Sequence, residues 1–424
     1  MEFRSETYQN EYLPEGATAV DAIVTVTAAG GGPVVPAGGP ATERAVVVVL
    51  DMSGSMRAAR KLVAAREAAA AAIESLRDGV LFGIVAGTHK ARFVYPEVHL
   101  ARADATTRAA ATQALSSCRA EGGTAIGAWL LCARDRLVRV PEAIRNVILL
   151  TDGKDESETR SELEDAIARC DGVFQCDCRG VGTDWTVDEL RMVASRLMGS
   201  IDVIPEPADM AADFAAMTAK AMAKRAAVVT LRLWTPRGAE LGYLKQVAPT
   251  IDDLTARAVR VDERTVDIPT GSWADEERDY HLHVVVPAQD VGAEMLAARV
   301  SLLVDGEVVT RSLVRAVWTN DRAVSTRMNP HVAHYTGQAE LASAIAEGLA
   351  ARAAGDDHTA TAQLGRAAQL AAESGHDGTL RLLAGVVDIV DAASGTVRLR
   401  GDVQAADAIA LDTRSTRTVR TRTT

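Results

Sequence analysis

The chain has 424 residues, of which 48% are hydrophobic, 24% charged and only 4% aromatic, and its formal net charge is −11. That length accommodates two or three domains with cores built mainly from aliphatic side chains. The acidic balance argues against general nucleic-acid binding, which needs a basic face. No apolar run approaches the roughly 18 residues of a membrane-spanning helix, so no membrane association is expected.

The first residues, Met1-Glu2-Phe3-Arg4-Ser5-Glu6, lack the basic-then-apolar pattern of an export signal, so a cytoplasmic location is expected. Residues 18–28 alternate like a half-buried strand. Gly30 to Pro40 reads as a Gly/Pro linker. From Thr42 onward, apolar runs alternate with helical patterns. Strands are expected at 45–50, 81–86, 91–95, 146–151, 173–181 and 201–204, and helices at 57–77, 105–117, 125–139, 158–170, 186–198 and 207–225. That rhythm predicts an α/β domain over 42–225, Rossmann-like, with a doubly wound and mainly parallel sheet.

At Ala226 the period changes from helical to alternating. Val228 to Trp234, Val259 to Val261, Thr265 to Ile268, Tyr280 to Val286, Ala298 to Val304 and Val308 to Val317 read as strands, with Asp305-Gly306 as a two-residue hairpin turn. An antiparallel β-sandwich is expected over 226–320. The N-terminal segment 1–41, through its strand at 18–28, is expected to join this sandwich, so that the α/β domain is inserted in a β domain. Residues 334–393 return to a helical period and predict a C-terminal segment of three short helices. Thr413 to Thr424 contains Arg414, Arg417, Arg420, Arg422 and no acid. It is expected to be disordered, a stretch that a basophilic kinase can reach.

Three pieces carry the chemistry. Asp51-Met52-Ser53-Gly54-Ser55 follows the apolar run Ala45 to Leu50. Gly122-Gly123-Thr124 precedes a helix. Asp152 ends the apolar run Val147 to Thr151. In this order they resemble the metal-ion-dependent adhesion site of von Willebrand factor type A domains of the bacterial cytoplasmic type. The resemblance covers about 42–225. It implies that Asp51, Ser53, Ser55, Thr124 and Asp152 hold Mg²⁺ (or Mn²⁺ or Ca²⁺), and that an Asp or Glu of a protein partner completes the shell. In bacteria, similar proteins work beside MoxR-type ATPases or Ser/Thr kinases and phosphatases in stress systems. Changed ligation in relatives shifts the last helix, here 207–225.

The residues support this independently. All five side chains are hard oxygen donors of the kind Mg²⁺ takes at about 2.1 Å. Gly54 lets the backbone bend between two serines, and the loop lies at the carboxyl end of a strand, where open α/β sheets bind ligands. The bland alternative for Asp-x-Ser-x-Ser alone is a helix N-cap. The expected function is therefore a non-enzymatic, metal-dependent interaction module. The alternatives are a metal-dependent hydrolase or a structural assembly subunit.

Other chemistry is disfavoured. A phosphatase-type aspartate nucleophile needs a second Asp where Ser53 stands, and a hydrolase elbow needs Gly where Asp51 and Ser55 stand. Gly180-Val181-Gly182 lacks the third Gly of a dinucleotide loop. His281 and His283 alternate on an expected strand with no acidic third ligand in spacing. The five cysteines, Cys118, Cys132, Cys170, Cys176 and Cys178, form neither a disulfide framework nor a zinc spacing and read as structural thiols. The acidic run Asp155, Glu156, Glu158, Glu162, Glu164 reads as a solvated helix start.

Overall fold

The computed structural model describes residues 1–30 and 43–420. The expected linker therefore lies almost wholly outside the described residues. The chain divides into two units, Met1–Gly31 with Val228–Thr424, and Gly32–Ala227. In chain order the second is flanked by the two parts of the first.

The chain begins with β1 (Glu2–Gln9), β2 (Tyr12–Pro14) and β3 (Ala19–Ala29). Sequence reading missed the first two. In β1 no residue is fully buried, so its apolar alternation is weak. The tripeptide β2 is too short to show a period.

The α/β unit then runs through β4 (Arg44–Asp51), α1 (Lys61–Glu74), β5 (Leu81–Gly87), β6 (Ala91–Tyr95), β7 (Ala101–Arg102), α2 (Ala105–Ser116), α3 (Ile126–Leu137), β8 (Ile144–Thr151), α4 (Arg160–Cys170), β9 (Gln175–Val181), α5 (Val187–Arg196), β10 (Ile201–Ile204) and α6 (Met210–Ala223). Its sheet has the order β10-β9-β8-β4-β5-β6, with β7 also pairing β5. It is parallel from β10 to β5, and β6 and β7 are antiparallel to β5. Helices cover both faces, so the central strands read as continuous apolar runs. Ala45 to Leu50 is at most 2% exposed, and each Val or Leu so buried contributes about 1.5–3 kcal/mol.

The helix expected at 57–77 begins later. Gly54–Arg60 is a tighter 3₁₀ turn, and Arg60 takes φ 61° before α1 starts at Lys61. Ala65, Ala68, Ala69, Ala72 and Ile73 then fall on one buried face. Their small side chains bring α1 close to α6, whose Phe214, Met217 and Ala221 share the same core.

The β unit resumes with β11 (Ala226–Trp234), β12 (Glu240–Ala248), β13 (Asp252–Asp253), β14 (Val259–Asp262), β15 (Thr265–Trp273), β16 (Glu276–Val285), β17 (Glu294–Val304) and β18 (Glu307–Thr319). Two sheets result, β1-β3-β16-β12-β13 and β14-β15-β11-β17-β18-β2. The strand expected at 18–28 is thus β3, held between β1 and β16. Even-numbered residues of β3 and β16, from Val20 to Val26 and Tyr280 to Val284, are almost fully buried. Phe3 of β1 meets Trp273 of β15 edge-on at 5.8 Å, and Ser312 of β18 donates to Ser5 of β1, which ties the two sheets together. The β17–β18 turn has Asp305 and Gly306 at φ 49° and 87°, the left-handed pair that a two-residue hairpin requires.

The C-terminal part contains α7 (Arg322–Ser325), α8 (Pro330–Ala353), α9 (Asp357–Glu373), α10 (Asp377–Val386), β19 (Val387–Asp391), β20 (Thr396–Leu399) and α11 (Ala405–Arg414). Two expectations are corrected here. The helical segment 334–393 ends at Val386. The β-branched run Val387-Asp388-Ile389-Val390 forms an antiparallel hairpin with Thr396–Leu399 instead, closed by Gly395 at φ 68°. The tail 413–424 is ordered through Arg420, and 421–424 lie outside the described residues. Thr413 is buried in the last turn of α11. Val419 accepts hydrogen bonds from His334 and Gln338 of α8 through its carbonyl. Arg420 grips Asp279 at 2.7 and 3.0 Å and also pairs with Glu277. An arginine that looks solvated in sequence finds two carboxylates on β16.

Candidate metal centre

The candidate site grows out of the seam between β4 and β8. Leu50 is in register with Leu150, so Asp51 leaves β4 beside the point where Thr151 and Asp152 leave β8. Both carboxylates are fully buried. Met52 and Gly54 donate their N–H groups to the carbonyls of Gly87 and Gly122, and Glu121 donates to the carbonyl of Met52. The Asp51–Ser55 loop is thereby laced to the loop carrying Gly122, Gly123 and Thr124. A Cβ on Gly123 would lie 2.3 Å from Ser157 Oγ, so any other residue there would displace the Ser157 hydroxyl.

Within this frame the expected residues converge. Ser53 Oγ and Ser55 Oγ are 2.9 Å apart, and Ser55 Oγ donates to Asp152 Oδ1 at 2.6 Å. A Cβ on Gly153 would lie 3.4 Å from Thr124 Oγ1 and 3.5 Å from Ser55 Oγ, so these two hydroxyls reach one spot over Gly153. Asp51 stands behind them. Its Oδ1 accepts the Ser53 N–H at 2.7 Å and its Oδ2 accepts the Thr151 hydroxyl at 2.6 Å. Burial pushes the Asp51 carboxyl above the usual range, with the Asp152 charge adding to it, against the pull of the Ser53 and Thr151 hydrogen bonds. Ser53 makes no side-chain cap to the following turn. The N-cap reading of Asp-x-Ser-x-Ser therefore does not account for its hydroxyl.

Hydroxyl and carboxylate oxygens are the donors Mg²⁺ and Mn²⁺ prefer, and a buried pair of carboxylates calls for a compensating cation. The donor set fits a hard divalent ion. Ser55 is exposed while Ser53, Thr124 and both aspartates are buried, so the site opens to solvent on the Ser55 side.

Sequence reading missed two residues here. Thr151 locks Asp51. Lys61, the first residue of α1, places its ammonium 2.7 Å from Asp152 Oδ2 and 3.7 Å from Asp184. Nothing local marks Lys61, because its partner is 91 positions away.

The acidic run is also reassigned in part. No side chain of Ala125 caps α3. Instead Asp155 accepts the Ile126 N–H and Glu158 accepts the Gly127 N–H, meeting donors that a helix start leaves unpaired. Burial, with Glu158 alongside, pushes Asp155 up to about 9. Glu162 completes a capping box with Thr159 on α4, and Glu164 pairs with Arg160.

Other groups considered from the sequence lie elsewhere. All five cysteines are free, and Cys176 and Cys178 share a face of β9 with sulfurs 3.8 Å apart. In the β unit, His281 and His283 both meet Asp21 Oδ1, at 2.9 and 3.0 Å, with Tyr243 stacked on His283. The acid absent from their spacing arrives from β3. Among the described residues no group of three or more His, Cys, Asp or Glu side chains is disposed to hold a metal ion, and no helix is long and apolar enough to cross a membrane.

Comparison with known proteins gives the family. Residues 44–203 match the von Willebrand factor type A domain, and residues 369–415 match the von Willebrand factor type A C-terminal domain. No curated protein matches the chain. Among solved structures, a von Willebrand factor type A protein from Catenulispora acidiphila is 47% identical, over 99% of this chain and 97% of that one, with a TM-score of 0.93. The ArnB paralog VWA2 from Sulfolobus acidocaldarius shares the fold across 98% of both chains, at 13% identity and a TM-score of 0.56. The human COPII-coat protein Sec24c also shares the fold, at 11% identity over 89% of this chain and 58% of that one, with a TM-score of 0.54. With two family segments and a full-length relative at 47% identity, the chain belongs to the von Willebrand factor type A family.

Proposed function

We propose that this protein is a non-catalytic interaction module that recognises a partner's Asp or Glu through a divalent cation, Mg²⁺ or a similar ion, held by Asp51, Ser53, Ser55, Thr124 and Asp152. The observation that carries the reading is that the Ser55 hydroxyl bonds buried Asp152 while Ser53 Oγ lies 2.9 Å from Ser55 Oγ and Thr124 Oγ1 reaches the same spot over Gly153, with Ser55 exposed to solvent. A bound cation would supply a Lewis-acidic position for one carboxylate oxygen of the partner. The chain's part is to hold that position still: Thr151 and the Ser53 N–H fix Asp51, and the Gly122 carbonyl fixes the serine loop.

A non-enzymatic role is favoured over hydrolysis because both oxygens of Asp51 and both of Asp152 are already engaged by hydrogen bonds. Neither carboxylate is poised as a free base or nucleophile. Family context extends the reading to a cytoplasmic bacterial adaptor beside a MoxR-type ATPase or a Ser/Thr kinase and phosphatase pair. Calorimetric titration of Mg²⁺ or Mn²⁺ into metal-free protein tests it. One site per chain is expected, lost in Asp152→Ala. Equal binding by wild type and an Asp51→Ala, Asp152→Ala double variant overturns it.

A further inference from the structure

Lys61 stands where the proposed function does not need it. Its side chain is only 11% exposed, and its ammonium lies 2.7 Å from Oδ2 of the fully buried Asp152. The other oxygen, Oδ1, is taken by the Ser55 hydroxyl. A cation on a flexible four-carbon stem thus already faces one of the two carboxylates assigned to the metal. A Cβ on Gly182, at φ 68°, would lie 3.7 Å from the Lys61 ammonium, so the loop carrying Gly182 runs beside it, and Asp184 of that loop, largely exposed, lies 3.7 Å from the same ammonium.

The electrostatics give this placement a consequence. Without a divalent ion, two buried carboxylates face one another across the strand seam, and an uncompensated buried charge is strongly destabilising. The Lys61 ammonium supplies one compensating charge. With a divalent ion bound, the ammonium and the ion are like charges competing for the same carboxylate, at a range where such repulsion is poorly screened.

We propose that Lys61 is a tethered cation that holds the metal-free site together and is displaced from Asp152, toward Asp184, when a divalent ion enters. It thereby lowers metal affinity, so that occupancy follows the available cation instead of being permanent. This rests on the metal reading above.

The test uses the full chain and Mg²⁺ or Mn²⁺ alone, with calorimetric affinity and thermal midpoint as readouts. Lys61→Met keeps the apolar stem and removes the charge. It is expected to bind the ion at least about tenfold more tightly, a change that corresponds to ~1.4 kcal/mol. Its metal-free midpoint falls below the wild type's, and the ion raises that midpoint by more than in the wild type. Lys61→Arg keeps the charge and binds no more tightly than the wild type. Asp184→Asn, at an exposed position, loses the landing site and binds about two- to fivefold more weakly, the range of an exposed ion pair. If Lys61→Met does not fold, Lys61→Gln and Asp184→Asn carry the test.

Wild-type binding with unchanged or weaker binding in Lys61→Met overturns the tethered cation and leaves the metal reading intact. Absence of binding in wild type and Lys61→Met alike overturns both.

Discussion

Thr151 and Asp51 are joined across the β4–β8 seam: the Thr151 hydroxyl donates to Asp51 Oδ2 at 2.6 Å, and both side chains are wholly buried. The same hydroxyl also accepts the Gly153 N–H at 3.2 Å, so one side chain sets both the first carboxylate and the turn that carries Asp152 past the strand end. Thr151→Val keeps the shape and removes the donor. It is expected to destabilise the protein by about 1–3 kcal/mol, the cost of leaving a buried carboxylate oxygen with only the long 3.4 Å bond from the Asp152 N–H. Urea denaturation measures this, and an unchanged midpoint would show that the bond contributes nothing.

Metal removal gives a second expectation. A ligand that binds only the native state stabilises it by about 2.7 kcal/mol at a hundred times its dissociation constant. Chelator added to Mg²⁺-loaded wild type lowers the thermal midpoint, whereas Asp152→Ala shows no response to either ion or chelator. A chelator effect of equal size in both proteins would place the ion elsewhere.

The C-terminal strap gives a third. Arg420 binds Asp279, which also accepts hydrogen bonds from Thr25 and Tyr335, and burial pushes the Asp279 carboxyl above the usual range. Arg420→Ala leaves that carboxylate short of its only cationic hydrogen-bond donor among the described residues. A loss of about 1.5–3 kcal/mol is expected, the range for hydrogen bonds to charged groups. A variant with unaltered denaturation behaviour would mean the strap is not a stabilising element.

Acid sensitivity follows from Asp21. Partial burial pulls its carboxyl upward, but the hydrogen bonds from His281 and His283 outweigh this and hold it below 3.8. A carboxyl depressed in the folded state contributes stability that is fully present above its unfolded value and is lost as pH falls through the folded one. Wild type is therefore more stable than Asp21→Asn at neutral pH, and the gap closes only below about pH 4. Denaturation midpoints of the two proteins across that range decide the matter. A gap that stays constant with pH would rule out the carboxylate charge as its source.

The N-terminal strands give the last expectation. Residues 19–28 pair with β16 along ten consecutive positions, from Ala19 with Val285 to Ala28 with Glu276. Deleting residues 1–29 exposes that edge of β16 together with its buried face, a template for intermolecular pairing. The shortened chain is expected to aggregate, with sedimentation as the readout, and a soluble monomer would show the strand to be dispensable.

Much of the site was legible in the sequence because its signals are local. Six apolar positions before Asp51 mark a buried parallel strand, the Ser-Gly-Ser spacing marks a turn of hydroxyls, and Thr151-Asp152-Gly153 repeats the strand-end pattern. Each is written within about ten residues, where period and turn chemistry act. The α/β order of 42–225 was legible for the same reason. The hairpin at 387–399 was misread because a short β-branched run also satisfies a helical spacing, and only its partner strand decides between them. What tertiary structure alone decided are the pairs: Lys61 with Asp152, 91 positions apart, Thr151 with Asp51, 100 apart, and His281 with Asp21, 260 apart. No periodicity encodes such a meeting. It follows from which strand lies beside which, and that order is set by burying whole apolar faces, a property of the folded chain and not of any one segment.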